Sequence, residues 1–131
     1  MIIKKEFTID LAHRLQYHKW KCVNVHWHTY RIILYIEWPI KENWPETGMV
    51  LDFGNTKAII KKIEEDFDHA YIYKKWEQVW EFLRSLRLKT FELNFEPTAE
   101  NMAEYICNQF DILSWVEVFE TPTASALYLR K

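Results

Sequence analysis

The sequence predicts an α+β fold: an antiparallel sheet with helices on one face. Three observations predict it. Two strongly alternating stretches open the chain, over residues 2–13 and 25–38. Two further apolar-alternating stretches close it, over 115–121 and 125–130. Segments of helical period lie between these pairs rather than between single strands, which separates this pattern from a parallel βαβ arrangement.

Each element has its own warrant. In 2–13, Ile3, Phe7, Ile9 and Leu11 share one face and His13 continues it, while Lys4, Glu6, Thr8 and Asp10 point the other way. That is a half-buried strand whose apolar face ends in a histidine. In 25–38, His26, His28, Tyr30, Ile32, Leu34 and Ile36 line one side, and Val25, Trp27, Thr29, Arg31 and Ile33 the other. The stretch "WPIKENWPETG" reads as a surface loop closed by proline and glycine. Asp52 caps the next element, a helix that carries Ile59, Ile63 and Phe67 at helical spacing and ends near Asp68. Residues 76–88 predict a second, shorter helix with Trp76, Val79, Trp80, Leu83 and Leu86 as its apolar positions. Residues 90–95 alternate as a short strand. "PTAEN" then opens a helix with Thr98 as N-cap, Glu100 in the first turn and Met102, Ile106 and Phe110 as the buried stripe. The last two strands are joined by Thr-Pro-Thr. No repeat or low-complexity segment divides the 131 residues, so residues 1–131 are expected to form a single domain.

Composition narrows the function. A net charge of −2 gives no basic excess for a nucleic-acid partner. No apolar run approaches a membrane span, and "MIIKKEFTID" turns charged too early for a signal peptide. Two distant cysteines are no disulfide framework, which points to a reducing, cytoplasmic setting. With two glycines in the chain, neither a P-loop nor a dinucleotide fingerprint is present.

The candidate chemistry centres on "CVNVHWH", residues 22–28. Two residues apart on a strand, His26 and His28 leave the same face, and His13 ends the apolar face of the other long strand. If those strands pair, three imidazoles converge, the ligand set of a catalytic zinc with one open position. Cys22 leaves two readings open: a fourth ligand that closes a structural site, or a free thiolate beside the metal. Cys107, in the last helix, reads as a small buried hydrophobe. Asp68 and His69 are adjacent; in isolation they read as a helix-end charge and a solvent-exposed histidine. Glu120 shares the face of Val116 and Val118, an unusual place for an unpaired carboxylate, and its two oxygens suit an amidine-like ligand group that donates two hydrogen bonds.

Taken in order, "FTIDLAHRL", "CVNVHWHTYR", "GMVLDFGNTKAII", "FDHAYI", "PTAENMAEYI" and "VEVFET" resemble the blocks of the 6-pyruvoyltetrahydropterin and 6-carboxytetrahydropterin synthase family. The resemblance spans most of the chain. It implies zinc bound by His13, His26 and His28, Cys22 as catalytic thiolate, and Asp68 with His69 as a catalytic dyad. Glu120 would anchor the pterin's 2-amino-pyrimidinone edge, with Thr98 and Glu100 helping to form that pocket. The implied substrate is 7,8-dihydroneopterin triphosphate. Three residues between the cysteine and the paired histidines resemble the 6-carboxytetrahydropterin branch of queuosine and 7-deazaguanine synthesis, whose product forms with loss of acetaldehyde and triphosphate. The alternatives are the pyruvoyl branch, another pterin-converting or pterin-binding member of the fold, and a non-catalytic domain whose zinc is closed by Cys22. The implied fold is the tunnelling fold: a four-stranded antiparallel sheet with two main helices on one face, assembled as a trimer or dimer of trimers with active sites between subunits. Two stretches depart from the family pattern. Trp27 stands where the family has glycine, and residues 74–90 form a longer link than usual.

Overall fold

A computed structural model describes residues 1–131. Two long strands, β1 (Ile2–His13) and β2 (His26–Glu37), pair antiparallel along their whole length, from Ile2 opposite Glu37 to His13 opposite His26. A short helical turn, Lys21–Val23, lies in the connection between them. After a loop, Asp52 does act as a cap, but of a short 3₁₀ turn (Phe53–Asn55), accepting the Gly54 N–H at 2.7 Å. Helix α1 starts only at Thr56 and runs to Phe67. Its buried residues are Thr56, Ile59, Ile63 and Phe67, the spacing that the sequence shows.

The chain then adds two strands beside β1: β3 (Tyr71–Lys74) and, after α2 (Val79–Ser85), β4 (Thr90–Leu93). Helix α3 (Ala99–Gln109) and the hairpin β5 (Trp115–Thr121) and β6 (Ala124–Leu129) complete the fold. The sheet order is β4-β3-β1-β2-β5-β6. Its four long central and C-terminal strands are antiparallel, as expected. The short β3 and β4, parallel to β1 and to each other, enlarge the expected four strands to six. Strand β3 was not legible because "YIYK" is too brief, at four residues, to show a period.

One cluster of 21 buried residues joins the inner face of the sheet to α1 and α3. Ile9, Ile32, Leu34, Val116 and Val118 from the strands meet Ile63, Phe67, Met102 and Ile106 from the helices. Burying such a side chain contributes about 1.5–3 kcal/mol, so this interface carries the fold. Thr98 caps α3 through its side-chain oxygen, which accepts the Asn101 N–H. Phe110 does not continue the α3 stripe: it is the C-cap, extended and half-buried. The predicted helix over 76–88 shrinks to 79–85 and buries none of its residues. The backbone at Trp76 has φ +73, which breaks a helix there, and Trp76 is exposed while its neighbour Glu77 is the buried residue.

Candidate metal centre and dyad

The antiparallel register of β1 and β2 sets His13 directly opposite His26 and Leu11 opposite His28. All three imidazoles therefore lie on the inner face, at the end of the core where β1 stops. Their ring centroids are 4.6, 5.3 and 5.0 Å apart. Glu120 reaches the same point from β5, its Oε1 3.2 Å from His28 Nε2 and 3.5 Å from His13 Nε2. One ligand atom from each of His13, His26, His28 and Glu120 falls within 4.8 Å of all the others.

Protons decide what this group can hold. His13 Nδ1 donates to the Pro97 carbonyl at 2.7 Å, and His26 Nδ1 donates to the Asn24 carbonyl at 2.7 Å. Both neutral rings thus carry their proton on Nδ1, which leaves two Nε2 lone pairs facing each other at 3.0 Å. Two acceptors at that distance repel. His28 Nε2 is buried with no hydrogen-bond partner, since Glu120 lies within ion-pair distance but off-line for a hydrogen bond. Protonating His13 and His28 is disfavoured. Burial pushes His13 down to about 4 despite the Pro97 carbonyl, and the neighbouring His26 and His28 add to the effect. Burial also lowers His28, against the opposing pull of Glu120. A cation between the Nε2 atoms satisfies all three rings at once, and backbone carbonyls on the far nitrogens are the usual outer partners of metal-bound histidine. The residues present therefore fit a divalent metal.

Tyr30 lies next to the trio on β2, fully buried, with its hydroxyl 3.5 Å from His13 Nδ1. Its ionisation is raised, first by burial and then by the Glu120 carboxylate that it bonds, with the Cys22 charge adding to this. Cys22 itself is half-buried on the Lys21–Val23 turn and stands outside the His/Glu group. The chain brings Glu120, not Cys22, to the fourth position. Parity with Val116 and Val118 was the signal that Glu120 faces inward. The orienting carbonyls of Pro97 and Asn24 had no signal, because backbone atoms carry no residue identity. Thr98 spends its oxygen on the helix cap and Glu100 is exposed in the first turn; the stretch "PTAEN" touches the trio through Pro97.

Asp68 and His69 do pair, Oδ2 to Nδ1 at 3.0 Å. Burial alone raises the Asp68 carboxyl, but the Asp10 N–H, His69 and Lys89 outweigh it and hold the group below its ordinary value. Yet the dyad is not at the trio. His69 lines an open, mainly apolar cavity of about 430 Å³ with Asp10, Ala12, Trp27, Tyr71 and Lys89. Asp10, Ala12 and Trp27 belong to the outer face of β1 and β2, opposite the histidines in parity. Trp27, 77 % exposed, therefore leaves the metal group untouched.

A family model described as 6-pyruvoyl tetrahydropterin synthase matches residues 2–131. The chain belongs to that family. Among its relatives, a 6-carboxy-5,6,7,8-tetrahydropterin synthase of Haemophilus influenzae is 37 % identical, over 96 % of each chain. One of Synechocystis is 34 % identical over 97 % of this chain and 92 % of its own. An uncharacterised protein of Wolinella succinogenes shares the fold with a TM-score of 0.86 at 20 % identity, covering 100 % of this chain and 98 % of its own. The 6-pyruvoyl tetrahydropterin synthase of Caenorhabditis elegans does so at 0.73 and 21 %, covering 100 % and 96 %. At these identities the two structures speak for the fold alone.

Proposed function

We propose that this protein is a zinc-dependent 6-carboxy-5,6,7,8-tetrahydropterin synthase, a lyase that converts 7,8-dihydroneopterin triphosphate to 6-carboxytetrahydropterin with release of acetaldehyde and triphosphate. The observation that carries the reading is the facing of His13 and His26 through unprotonated Nε2 atoms. It is supported by the name borne by relatives that match the chain from end to end.

In this reading His13, His26 and His28 hold the ion, which when bound supplies Lewis acidity to the substrate's side-chain oxygens. Cys22 takes a proton from the side-chain carbon. His69, oriented by Asp68, handles the opposite proton transfer. Glu120 receives the amidine-like edge of the pterin through two hydrogen bonds, with Thr98 and Glu100 contributing at the rim. A single chain holds the trio and the dyad on opposite faces of its sheet, so the dyad that completes a given trio comes from another copy. The enzyme accordingly works as a homo-oligomer, a trimer or dimer of trimers, in the cytoplasm and in queuosine or 7-deazaguanine synthesis.

Mass analysis of the products formed from dihydroneopterin triphosphate by the zinc-loaded protein tests this. The 6-carboxy product with acetaldehyde is expected. A pyruvoyl product moves the chain to the other branch, and no turnover of this substrate by zinc-loaded protein rejects the reading. Glu120→Gln separates anchor from ligand: bound metal is expected to stay at one ion per chain while KM rises about tenfold, the loss of one charge-assisted pair.

The structural alternative, a zinc closed by three histidines and Cys22, has less support. Glu120 rather than Cys22 stands with the trio. A Cys22→Ala variant should keep its metal and lose turnover; loss of the metal would favour the closed site.

A further inference from the structure

Residues 74–90 are the stretch that this chemistry leaves without a role. They are anchored at both ends. At the start, the Glu77 carboxylate, 2 % exposed, accepts from Arg14 Nη1 at 3.0 Å, the Tyr71 hydroxyl at 3.3 Å and the Val79 N–H at 3.1 Å. A buried carboxylate is tolerated only when its oxygens are filled in this way. At the end, the Lys89 carbonyl accepts the Tyr71 N–H at 3.0 Å and β4 begins at the next residue, Thr90, opposite Tyr71. The backbone of Lys89 is thereby held in the sheet beside β3.

From there its side chain reaches the end of α1. Lys89 Nζ donates to the Asp68 carbonyl at 2.6 Å and to the Glu64 carbonyl at 3.1 Å. An ammonium on the carbonyls at the C-terminal end of a helix is favoured by hydrogen bonding and by the helix dipole, and the Glu64 carbonyl also accepts the Asp68 N–H at 2.9 Å. The next residue, His69, has φ +58, a left-handed backbone that a non-glycine residue adopts only when its surroundings hold it there. Three contacts from other elements do so. The Asp10 N–H donates to Asp68 Oδ1 at 2.9 Å, the His69 N–H donates to the Asp10 carbonyl at 2.6 Å, and Lys89 holds the Asp68 carbonyl. Asp10 contributes backbone atoms; Lys89 contributes a side chain. Lys89 also lines the cavity into which His69 opens.

We propose that Lys89 is a positioning residue: it locks the left-handed turn that sets His69 against Asp68, and the 74–90 segment exists to deliver it. The activity readout rests on the proposed role of the dyad; the exchange readout does not. Lys89→Ala and Lys89→Arg are made in the full-length, zinc-loaded protein. Amide hydrogen exchange at His69 and steady-state kinetics with dihydroneopterin triphosphate are measured on each. In Lys89→Ala, exchange at His69 is expected to rise about tenfold or more while α3 is unchanged, because one of three external contacts on that turn is gone. Turnover is expected to fall roughly tenfold to a hundredfold in kcat at constant KM, the signature of a misplaced catalytic group, and Lys89→Arg to recover most of both. Unchanged exchange at His69 overturns the proposal. So does a rise in KM at constant kcat, which would make Lys89 a substrate contact. If the wild-type protein does not turn this substrate over, the functional reading fails, and exchange alone then decides whether Lys89 holds the turn.

Discussion

The histidine trio and the Asp68–His69 pair are built on opposite principles. In the trio His13 is buried and His26 and His28 are half-buried, two of the rings are pinned by backbone carbonyls, and the ligand atoms converge where a metal ion could be held. The pair is exposed on the outer face, its histidine 77 % accessible, and its geometry depends on one left-handed residue. A cation site needs convergent lone pairs in a place that excludes competing donors, which the end of a core provides. A proton-transfer group needs access to a substrate, which a surface cavity provides. The difference teaches that one sheet can gather a convergent ligand cluster at the end of its inner face and an accessible carboxylate–imidazole pair on its outer one.

The strongest way to break the comparison is His13→Ala. Elemental analysis is expected to show bound metal strongly reduced, and turnover lost with it, because the buried member of the three-histidine set is gone. Next comes Asp68→Asn. It is expected to leave metal content at the wild-type level and to lower kcat by about 10²–10⁴-fold, the usual worth of an acid–base group. Metal loss in that variant would show that the two regions are not separate.

A smaller effect sharpens the trio itself. The folded chain holds His13 down near 4 against an ordinary value of 6.5. Between those values the unfolded chain binds more protons, so folding stability is full above about pH 6.5 and is lost as pH falls towards 4. For the metal-free protein, urea unfolding at pH 7 and pH 4.5 should differ by roughly 2 kcal/mol from this residue. Saturating zinc should enlarge the difference by adding stability at the pH 7 end, about 2.7 kcal/mol at a hundredfold excess over Kd, because the ligand nitrogens are unprotonated there. The smallest effect is expected from Trp27→Gly. Its side chain leaves from the outer face, so metal content should not change, and an altered metal stoichiometry would refute the face assignment.

Much of this was legible in the residues. Alternation in 2–13 and 25–38 made the two long strands, and strand parity put His26 and His28 on one face, His13 at the end of the other strand's apolar face and Glu120 on the face of Val116 and Val118. The helical spacing of Ile59, Ile63 and Phe67 named the face of α1 that is buried. Less was legible where the local signal was weak or contradicted. Trp76, Val79, Trp80, Leu83 and Leu86 have helical spacing, yet the helix is short and lies on the surface. The buried residue there is Glu77, held by Arg14 across 63 residues of sequence. Thr98 was legible as a cap, while its neighbour Pro97, which orients His13, was not.

By itself, then, the sequence determined which side chains could act together. A strand's two-residue period and a helix's near-four-residue period are local properties that survive without any tertiary contact. Only the tertiary structure decided which of them meet. The register of β1 on β2 brings His13 to His26, the parallel addition of β3 turns the Asp68–His69 pair to the other face, and Lys89 comes back to α1 from 21 residues away. Register and crossing depend on how whole elements bury their apolar faces against one another, and no short stretch of residues holds that information.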